Sequence, residues 1–517
     1  MHSSPKICSL LFALLTLASV AFSQDADSSG MNSDKAATVN CAPPNYNCAR
    51  SDVTKIRNLN PPPNFKAGKN ALVTPSDFNL PIVRVTDATT YQNRTFTETA
   101  GGSNTANIFN TNDTYMVVND DGGWSYPISF NPSSMQVVNS KAWNVGGNQI
   151  RWSGTSSFSR SNPNLLYTVM NATSLAGATP NSTTLYGITL AGTTSITGKA
   201  SAIYDFAKCP GMDSPYNTGH GIWHAILTVS AGDTRFSTAF SNNKGGQNTG
   251  TDVTVYDAPS GECYHYDTAK AQLCSSTGCA PMSLPDKYTI HDVYMSLDGD
   301  YLRIVFEKCT SGGCKQGANS NPYYWHIGTT DVVRCFSPTG GANCNGHQAE
   351  GYSHIYNGIG WPFTAKRSFT DPLSYTEVNQ SPSLTPITDF HVSNNAADVN
   401  DTYPIWITNV QNVHTTFHGA GCERSGNVYE GCTFPGPLYG EVFGITQNGG
   451  YIRAAHTYNS GASKNFNCAN TIGAVSQSGK FFAWTSDWLR TLGHDHTNAE
   501  RCDVFIVNLA AAQGDKN

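Results

Sequence analysis

Residues 223–240 read WHAILTVSAGDTRFSTAF, and residues 290–306 read IHDVYMSLDGDYLRIVF. Each stretch is a β-branched and aromatic run, a turn built on Gly-Asp (Gly232-Asp233 and Gly299-Asp300), and a second apolar run. Such runs bounded by Gly, Asp and Ser predict antiparallel strands joined by tight turns. In both, a histidine stands eight residues before the glycine, His224 and His291. His354 in GYSHIYNGIG (351–360) and His391 in DFHVSNNAADVNDTYPIWIT (389–408) open two further segments of similar character. Blades around one axis would bring these four imidazoles to one mouth.

Working outward, the same order of strand, turn, apolar strand and outer strand recurs in units of roughly 45 to 70 residues. Further units hold NIFNTNDTYMVVND (107–120), SFSRSNPNLLYTVM (157–170) with TTLYGITL (183–190), GEVFGITQNGGYIRAAH (440–456), and AVSQSGKFFAWTSDW (474–488) with RCDVFIVNL (501–509). One four-stranded sheet cannot bury both of its faces, whereas a ring of them can. The expected fold is therefore all-β: a β-propeller, most simply of seven four-stranded blades, stapled by disulfides. LPIVRVTDA (80–88) reads as an outermost strand left over at the front, placed to complete the last blade and close the ring. The expected organisation is residues 1–23 as signal peptide, 24–79 as an extended polar lead-in, 80–510 as propeller, and 511–517 as a C-terminal tail.

The start of the chain addresses the compartment. Lys6 precedes an apolar run from Ile7 to Phe22 that ends in Ala21-Phe22-Ser23. This is the pattern of a secretory signal peptide cleaved near Ser23–Gln24. No later stretch approaches the ~20 apolar residues of a membrane span. A secreted protein, extracellular or periplasmic, is expected. Of fifteen cysteines, removal of Cys8 with the leader leaves an even number for an oxidising compartment. Close pairs are Cys41 with Cys48, Cys274 with Cys279, Cys309 with Cys314, Cys335 with Cys344, and Cys422 with Cys432. Cys209, Cys263, Cys468 and Cys502 are left for longer-range bonds. Zinc is the rival use, but CSSTGC and CTSGGC lack partner histidine motifs.

Charge and motif exclude several classes. Thirty-one Lys and Arg against thirty-seven Asp and Glu give a net charge of −6, with no basic run to neutralise phosphates, so nucleic acid is not an expected partner. There is no Gly-x-Ser-x-Gly elbow, His-Glu-x-x-His helix or phosphate-cradling loop. Asn-x-Ser/Thr sequons occur at Asn93, Asn112, Asn171, Asn181, Asn379 and Asn400. Lesser candidate sites are GHDH (493–496), GHQAEGYSH (346–354), and the acidic fragments DVNDTY (398–403) and NDDGG (119–123). GHDH is expected to be a solvated loop and GHQAEGYSH a polar connection, while DVNDTY and NDDGG resemble fragments of Ca²⁺ loops without the full alternating-oxygen pattern. Trp124, Trp152, Trp223, Trp361 and Trp488 are candidate sugar platforms, though packing between blades is the more ordinary use.

SFSRSNPNLLYTV (157–169), YMSLDGDYLRIVF (294–306) and the 474–509 unit resemble blades of the secreted seven-bladed propellers that include oligogalacturonate lyases, and more loosely TolB-type propellers. The resemblance spans most of residues 80–510. It implies a metal held near the axis by His and Gln side chains in a Gln-x-x-His-x-His cluster. The matching stretch, NFNCAN (465–470), has Asn465, Cys468 and Asn470 at those places. It also implies chemistry on an acidic carbohydrate.

A β-eliminating lyase must neutralise a uronate carboxylate, take the proton beside it and protonate the leaving oxygen, tasks that suit His, Arg and Tyr. His224, His291, His354 and His391 are the expected catalytic groups or platform for a divalent metal, and Arg453 with His456 the expected carboxylate-binding pair. The expected partner is an acidic carbohydrate and the expected state a monomer. The competing functions are a non-catalytic glycan- or protein-binding propeller and an envelope-associated scaffold.

Overall fold

A computed structural model describes residues 41–511 except for internal segments, the longest being 55–63, 98–106, 140–149, 213–221, 336–346, 379–388, 411–422 and 461–470. The leader, and the sequence read as NFNCAN, lie outside the described residues. Seven antiparallel sheets follow one another along the chain, and an eighth small sheet is the hairpin Glu423–Ser425 with Val428–Glu430. The one helical element among the described residues is a single 3-10 turn, Phe206–Lys208. No helix there is long and apolar enough to cross a membrane.

The blades are regular in order. Blade 2 runs from Ser156–Phe158 through Leu165–Met170 and Asn181–Ala191 to Thr197–Asp205. Blade 4 opens on Tyr288–Met295, blade 5 on Gln348–Glu350, and blade 6 on Asp389–Ser393, each continuing outward strand by strand. Blade 3 adds a fifth and sixth strand, Gln272–Ser275 and Gly278–Pro281, at its outer edge. Blade 1 is built on Tyr115–Asp120 and Trp124–Asn131, with Phe109 bridged to Met116 on the inner side.

The ring closes between the two ends of the chain. Blade 7 takes Gly473–Val475, Phe481–Ser486 and Asp503–Asn508 from the C-terminal end. Its fourth strand is Ile82–Arg84, in register with that end: Ile82 opposite Val507, Val83 opposite Ile506, Arg84 opposite Phe505. Leu72–Val73 adds a fifth, ahead of residue 80. Arg84 Nη2 lies 2.5 Å from Asp503 Oδ2, and Thr86 Oγ1 donates to Asp503 Oδ1 at 2.9 Å, all buried. The lead-in is docked rather than simply extended. Within the Cys41–Cys48 loop, Tyr46 is buried and its hydroxyl donates to the Gly479 carbonyl at 2.7 Å, while Phe65 packs edge-on against Trp488 and Phe505.

Core formation between blades follows from the pairing. The large aromatics Trp152, Trp325, Trp406, Trp484 and Trp488 are fully buried, each contributing on the order of 2–3 kcal/mol of apolar transfer. Of the candidate sugar-platform tryptophans, Trp152 and Trp488 are core residues, the packing role read as the more ordinary one. Trp124 is half-buried, with the Arg151 guanidinium 4.1 Å above its ring. The side chains of Trp223 and Trp361 lie outside the described set.

Three first-to-second-strand turns share the sequence Asn/Gly-Asp-Thr, and their aspartates, Asp113, Asp233 and Asp401, all have positive φ (59°, 55° and 51°). Asp is one of the few residues that adopts this region readily. The conformation turns each carboxylate onto the preceding blade. Asp233 accepts from Ser159 Oγ (2.6 Å), Arg160 N (3.0 Å), Ser161 N (3.2 Å) and Ser161 Oγ of blade 2. Asp401 accepts from Tyr352 N (2.8 Å), Ser353 N (2.9 Å) and Ser353 Oγ (3.0 Å) of blade 5. Asp113 accepts from Ser478 Oγ of blade 7. DVNDTY is thus an interblade latch. In NDDGG, Asp120 likewise accepts from the Gly122 and Trp124 amides and from the Tyr126 hydroxyl.

Disulfides join Cys41 to Cys48, Cys209 to Cys263 and Cys274 to Cys279. Cys335 and Cys502 are also disulfide-bonded. The backbone register sets Cys309 opposite Cys314. Cys209–Cys263 ties the end of blade 2 to the fourth strand of blade 3.

Candidate functional site

The first strand of each blade lines the axis, so histidines on those strands define the channel wall. His224 ends Ile222–His224, on the inner side of blade 3. His291 sits at the register shift between Ile290 and Asp292 in the first strand of blade 4. The side chains of these two lie outside the described set. His391 is the central residue of Asp389–Ser393, the first strand of blade 6, and is buried.

His391 is the best-defined group in the channel wall. Its ring stacks on that of His347, with centroids 4.1 Å apart and planes at 29°. His347 immediately precedes Gln348–Glu350, the first strand of blade 5, so the pair joins two neighbouring blades. Burial drives the His391 pKa well below the ordinary imidazole value, and the nearby His347 charge lowers it further. A backbone hydrogen bond with Thr471, just ahead of the first strand of blade 7, acts the other way. A bond that favours the protonated ring is one the imidazole donates, here to the Thr471 carbonyl. Nδ1 has no hydrogen-bond partner among the described residues, nor do the buried hydroxyls of Thr471 and of Thr408, which stands directly opposite His391 in the sheet. A neutral imidazole keeps one ring nitrogen as an acceptor.

His354 stands elsewhere. It opens His354–Gly360, the second strand of blade 5, because the preceding residues 348–350 already form the inner one. Its Nδ1 lies 2.6 Å from Ser353 Oγ and 3.6 Å from Asp401, within the latch between blades 5 and 6. Burial holds its pKa down, and Lys366 adds to that. The other members of GHQAEGYSH also diverge: Gln348 accepts from the Tyr324 hydroxyl at 2.6 Å and Glu350 from Arg303 Nε at 2.5 Å, both towards blade 4. His347 and His354 belong to different networks.

Arg453 and His456 lie on Tyr451–His456, the outermost strand of blade 6, away from the axial wall. Arg453 is fully buried and forms a fork on Glu441, Nε to Oε2 at 2.8 Å and Nη2 to Oε1 at 2.6 Å. Its remaining nitrogen donates to the carbonyls of Asp52 and Thr54 in the lead-in, at 3.2 and 2.8 Å. His456 lies 3.6 Å from Asp77, whose pKa it lowers, and meets Phe78 edge-on. The expected carboxylate-binding pair is therefore a clamp holding the N-terminal segment on blade 6. The cross-strand register that sets Glu441 beside this strand is a tertiary fact that local sequence does not display.

Among the described residues one group has metal-ligand spacing: Asp121, Asp495 and His496, each with one ligand atom within 4.8 Å of the others. It joins GHDH of blade 7 to the NDDGG turn of blade 1. Its members also have protein partners. Arg94 Nη1 donates to Asp121 Oδ1 at 2.8 Å, and Asp495 Oδ1 accepts from the Thr497 and Ala499 amides at 2.8 and 3.1 Å.

No known sequence family matches this chain, and no curated protein resembles it in sequence. Solved structures align with it at low identity. Oligogalacturonate lyase from Vibrio parahaemolyticus aligns over 85% of this chain and 96% of its own, at 9% identity and a TM-score of 0.38. A chain of the mitotic checkpoint complex aligns over 68% of this chain and 88% of its own, at 9% identity and a TM-score of 0.32. The chemistry has to be argued from the channel itself.

Proposed function

We propose that the protein is exported after loss of residues 1–23 and acts as a monomer on an acidic carbohydrate at its axial channel. The specific reading is a lyase that cleaves a uronate-containing chain by β-elimination. One observation carries it: on the channel wall, His391 is a buried imidazole held neutral, with an acceptor nitrogen that no described protein group uses. A neutral imidazole is what general-base chemistry needs. In this reading an imidazole of the axial cluster takes the proton on the carbon beside the carboxylate, the electron pair forms a carbon–carbon double bond, and the bond to the leaving glycosidic oxygen breaks. That oxygen then takes a proton. His347, stacked on His391, and the inner-strand His224 and His291 are the further groups of this reading, as proton donors or as ligands of a divalent metal.

Unsaturated uronate absorbs near 235 nm, so the test is absorbance on a panel of uronate polysaccharides, with added divalent metal and after chelation. The expected result is a rise that His391→Gln reduces by about a hundredfold, the scale of one general base. No rise on any substrate from oxidised, folded protein overturns the lyase. A second reading, a non-catalytic glycan-binding propeller, is favoured by the diversion of His354, Arg453 and His456 into structural contacts. Saturable glycan binding without a rise at 235 nm would establish it.

A further inference from the structure

Two motifs far apart in the chain meet where blade 7 adjoins blade 1. GHDH lies between Phe481–Ser486 and Asp503–Asn508 of blade 7, and NDDGG spans the turn between Tyr115–Asp120 and Trp124–Asn131 of blade 1. A bridge between His494 and Glu500 closes the blade 7 loop, and the His496 amide donates to the Asn93 carbonyl at 2.9 Å, ahead of blade 1. Arg501 adds bonds to the Arg94 carbonyl at 2.7 Å and to Asn93 Oδ1 at 2.6 Å. These contacts fix the loop where Asp121, Asp495 and His496 converge, one ligand atom of each within 4.8 Å of the others.

The spacing is that of ligands rather than of a hydrogen-bonded pair. His496 Nδ1 stands 3.6 Å from Asp121 Oδ2, too long for a hydrogen bond. It is close to the ~3.3 Å that separates two ligands of a tetrahedral metal bound at about 2.0–2.1 Å. Each carboxylate is oriented from behind, as metal ligands are. Arg94 Nη1 donates to Asp121 Oδ1 at 2.8 Å, so Oδ2 is the oxygen turned to His496. Asp495, 8% exposed, accepts from the Thr497 and Ala499 amides and the Thr497 hydroxyl on Oδ1. Its Oδ2 accepts from the Thr95 hydroxyl at 3.2 Å and has a second lone pair to offer. Burial works to raise the Asp495 pKa, but these bonds outweigh it and hold the group below its ordinary value. Arg94 also lies 3.5 Å from Asp120, and one guanidinium does not neutralise three carboxylates.

We infer that Asp121, Asp495 and His496 bind a Zn²⁺ ion that staples blade 7 to blade 1, with water completing its coordination. An imidazole nitrogen with two carboxylate oxygens suits Zn²⁺, whereas Ca²⁺ and Mg²⁺ take oxygen ligands throughout. The site is independent of the axial reading, since its residues lie in connections between second and third strands and none is on a first strand.

The test is equilibrium dialysis of the chelator-stripped, disulfide-bonded protein against micromolar Zn²⁺, with bound metal counted per chain. Wild type is expected to bind one equivalent more than His496→Ala, a difference that holds whether or not the channel histidines take metal. The His496 side chain is a third exposed, so its removal should leave the fold intact. Asp121→Asn should lose the same equivalent, and serves if His496→Ala does not fold. At a Zn²⁺ concentration a hundredfold above Kd, the melting temperature of wild type should rise by about 2–3 °C more than that of the variant. Equal equivalents in wild type and folded His496→Ala, or in Asp121→Asn where that variant serves, overturn the site. An extra equivalent without the rise in melting temperature overturns the staple.

Discussion

Asp113 differs from its two counterparts in the interblade turns. Asp233 and Asp401 accept main-chain amides, whereas Asp113 accepts from the Ser478 hydroxyl, has no partner for Oδ1 among the described residues, and is 3% exposed. Burial raises its pKa to about 6, against the opposing pull of Ser478, Ser476 and Lys480. The folded state then binds the proton more tightly than the unfolded chain. That stabilisation is full below the ordinary value of 3.8 and is lost as pH rises through about 6. Compared with Asp113→Asn, wild type should lose about 2 kcal/mol more stability between pH 4.5 and pH 7, read from urea midpoints at the two pH values. An equal change in both proteins would show that Asp113 ionises normally. His391 runs in the opposite sense. Its depressed pKa keeps it neutral through the range where an ordinary histidine titrates, so its ring proton resonances should stay constant from pH 5 to 8 by NMR. A midpoint near 6.5 would refute that environment.

At the scale of the element, the turns rather than the strands hold blade to blade. Asp233→Ala removes the acceptor for two amides and two hydroxyls of blade 2 and should cost about 2–4 kcal/mol by urea unfolding. Asp300, whose side chain is 57% exposed in its pairing with Arg235, is the control, and Asp300→Ala should cost under about 1 kcal/mol. The junction between blades 3 and 4 depends on close approach instead. Gly299 has φ 86°, and a Cβ there would lie 2.9 Å from Ser230 Cβ in the neighbouring turn. The Cys209–Cys263 bond spans 54 residues, for which loop closure predicts about 4 kcal/mol. Replacing both cysteines by serine should lower stability by that order, and an unchanged melting temperature would deny the bond a stabilising role.

For the whole molecule, stability depends on closing the ring with two distant parts of the chain. Asp503 takes Arg84 from the front strand and lies 3.5 Å from Arg501. Asp503→Ala leaves buried guanidinium charge without that partner and should cost about 3–5 kcal/mol, with proteolysis of the 64–84 region as the readout. A variant as protease-resistant as wild type would show that backbone pairing alone closes the ring.

The closing strand was legible in the sequence because LPIVRVTDA is an apolar run left over ahead of the first blade, and the repeat announced the blades because strand and turn chemistry are local. His224, His291 and His391 fall on first strands for the same reason. The destinations of other side chains were not legible. His354 and His347 differ by one strand of offset, and a strand's two faces look towards different neighbours. Arg453 has a carboxylate twelve residues away in sequence but beside it in the sheet. Local patterning determined where strands begin and turn, since that depends on neighbours along the chain. Only the closed ring decided which polar groups meet at the axis, because His347 and His391 come together through the packing of blades and not through any spacing in sequence.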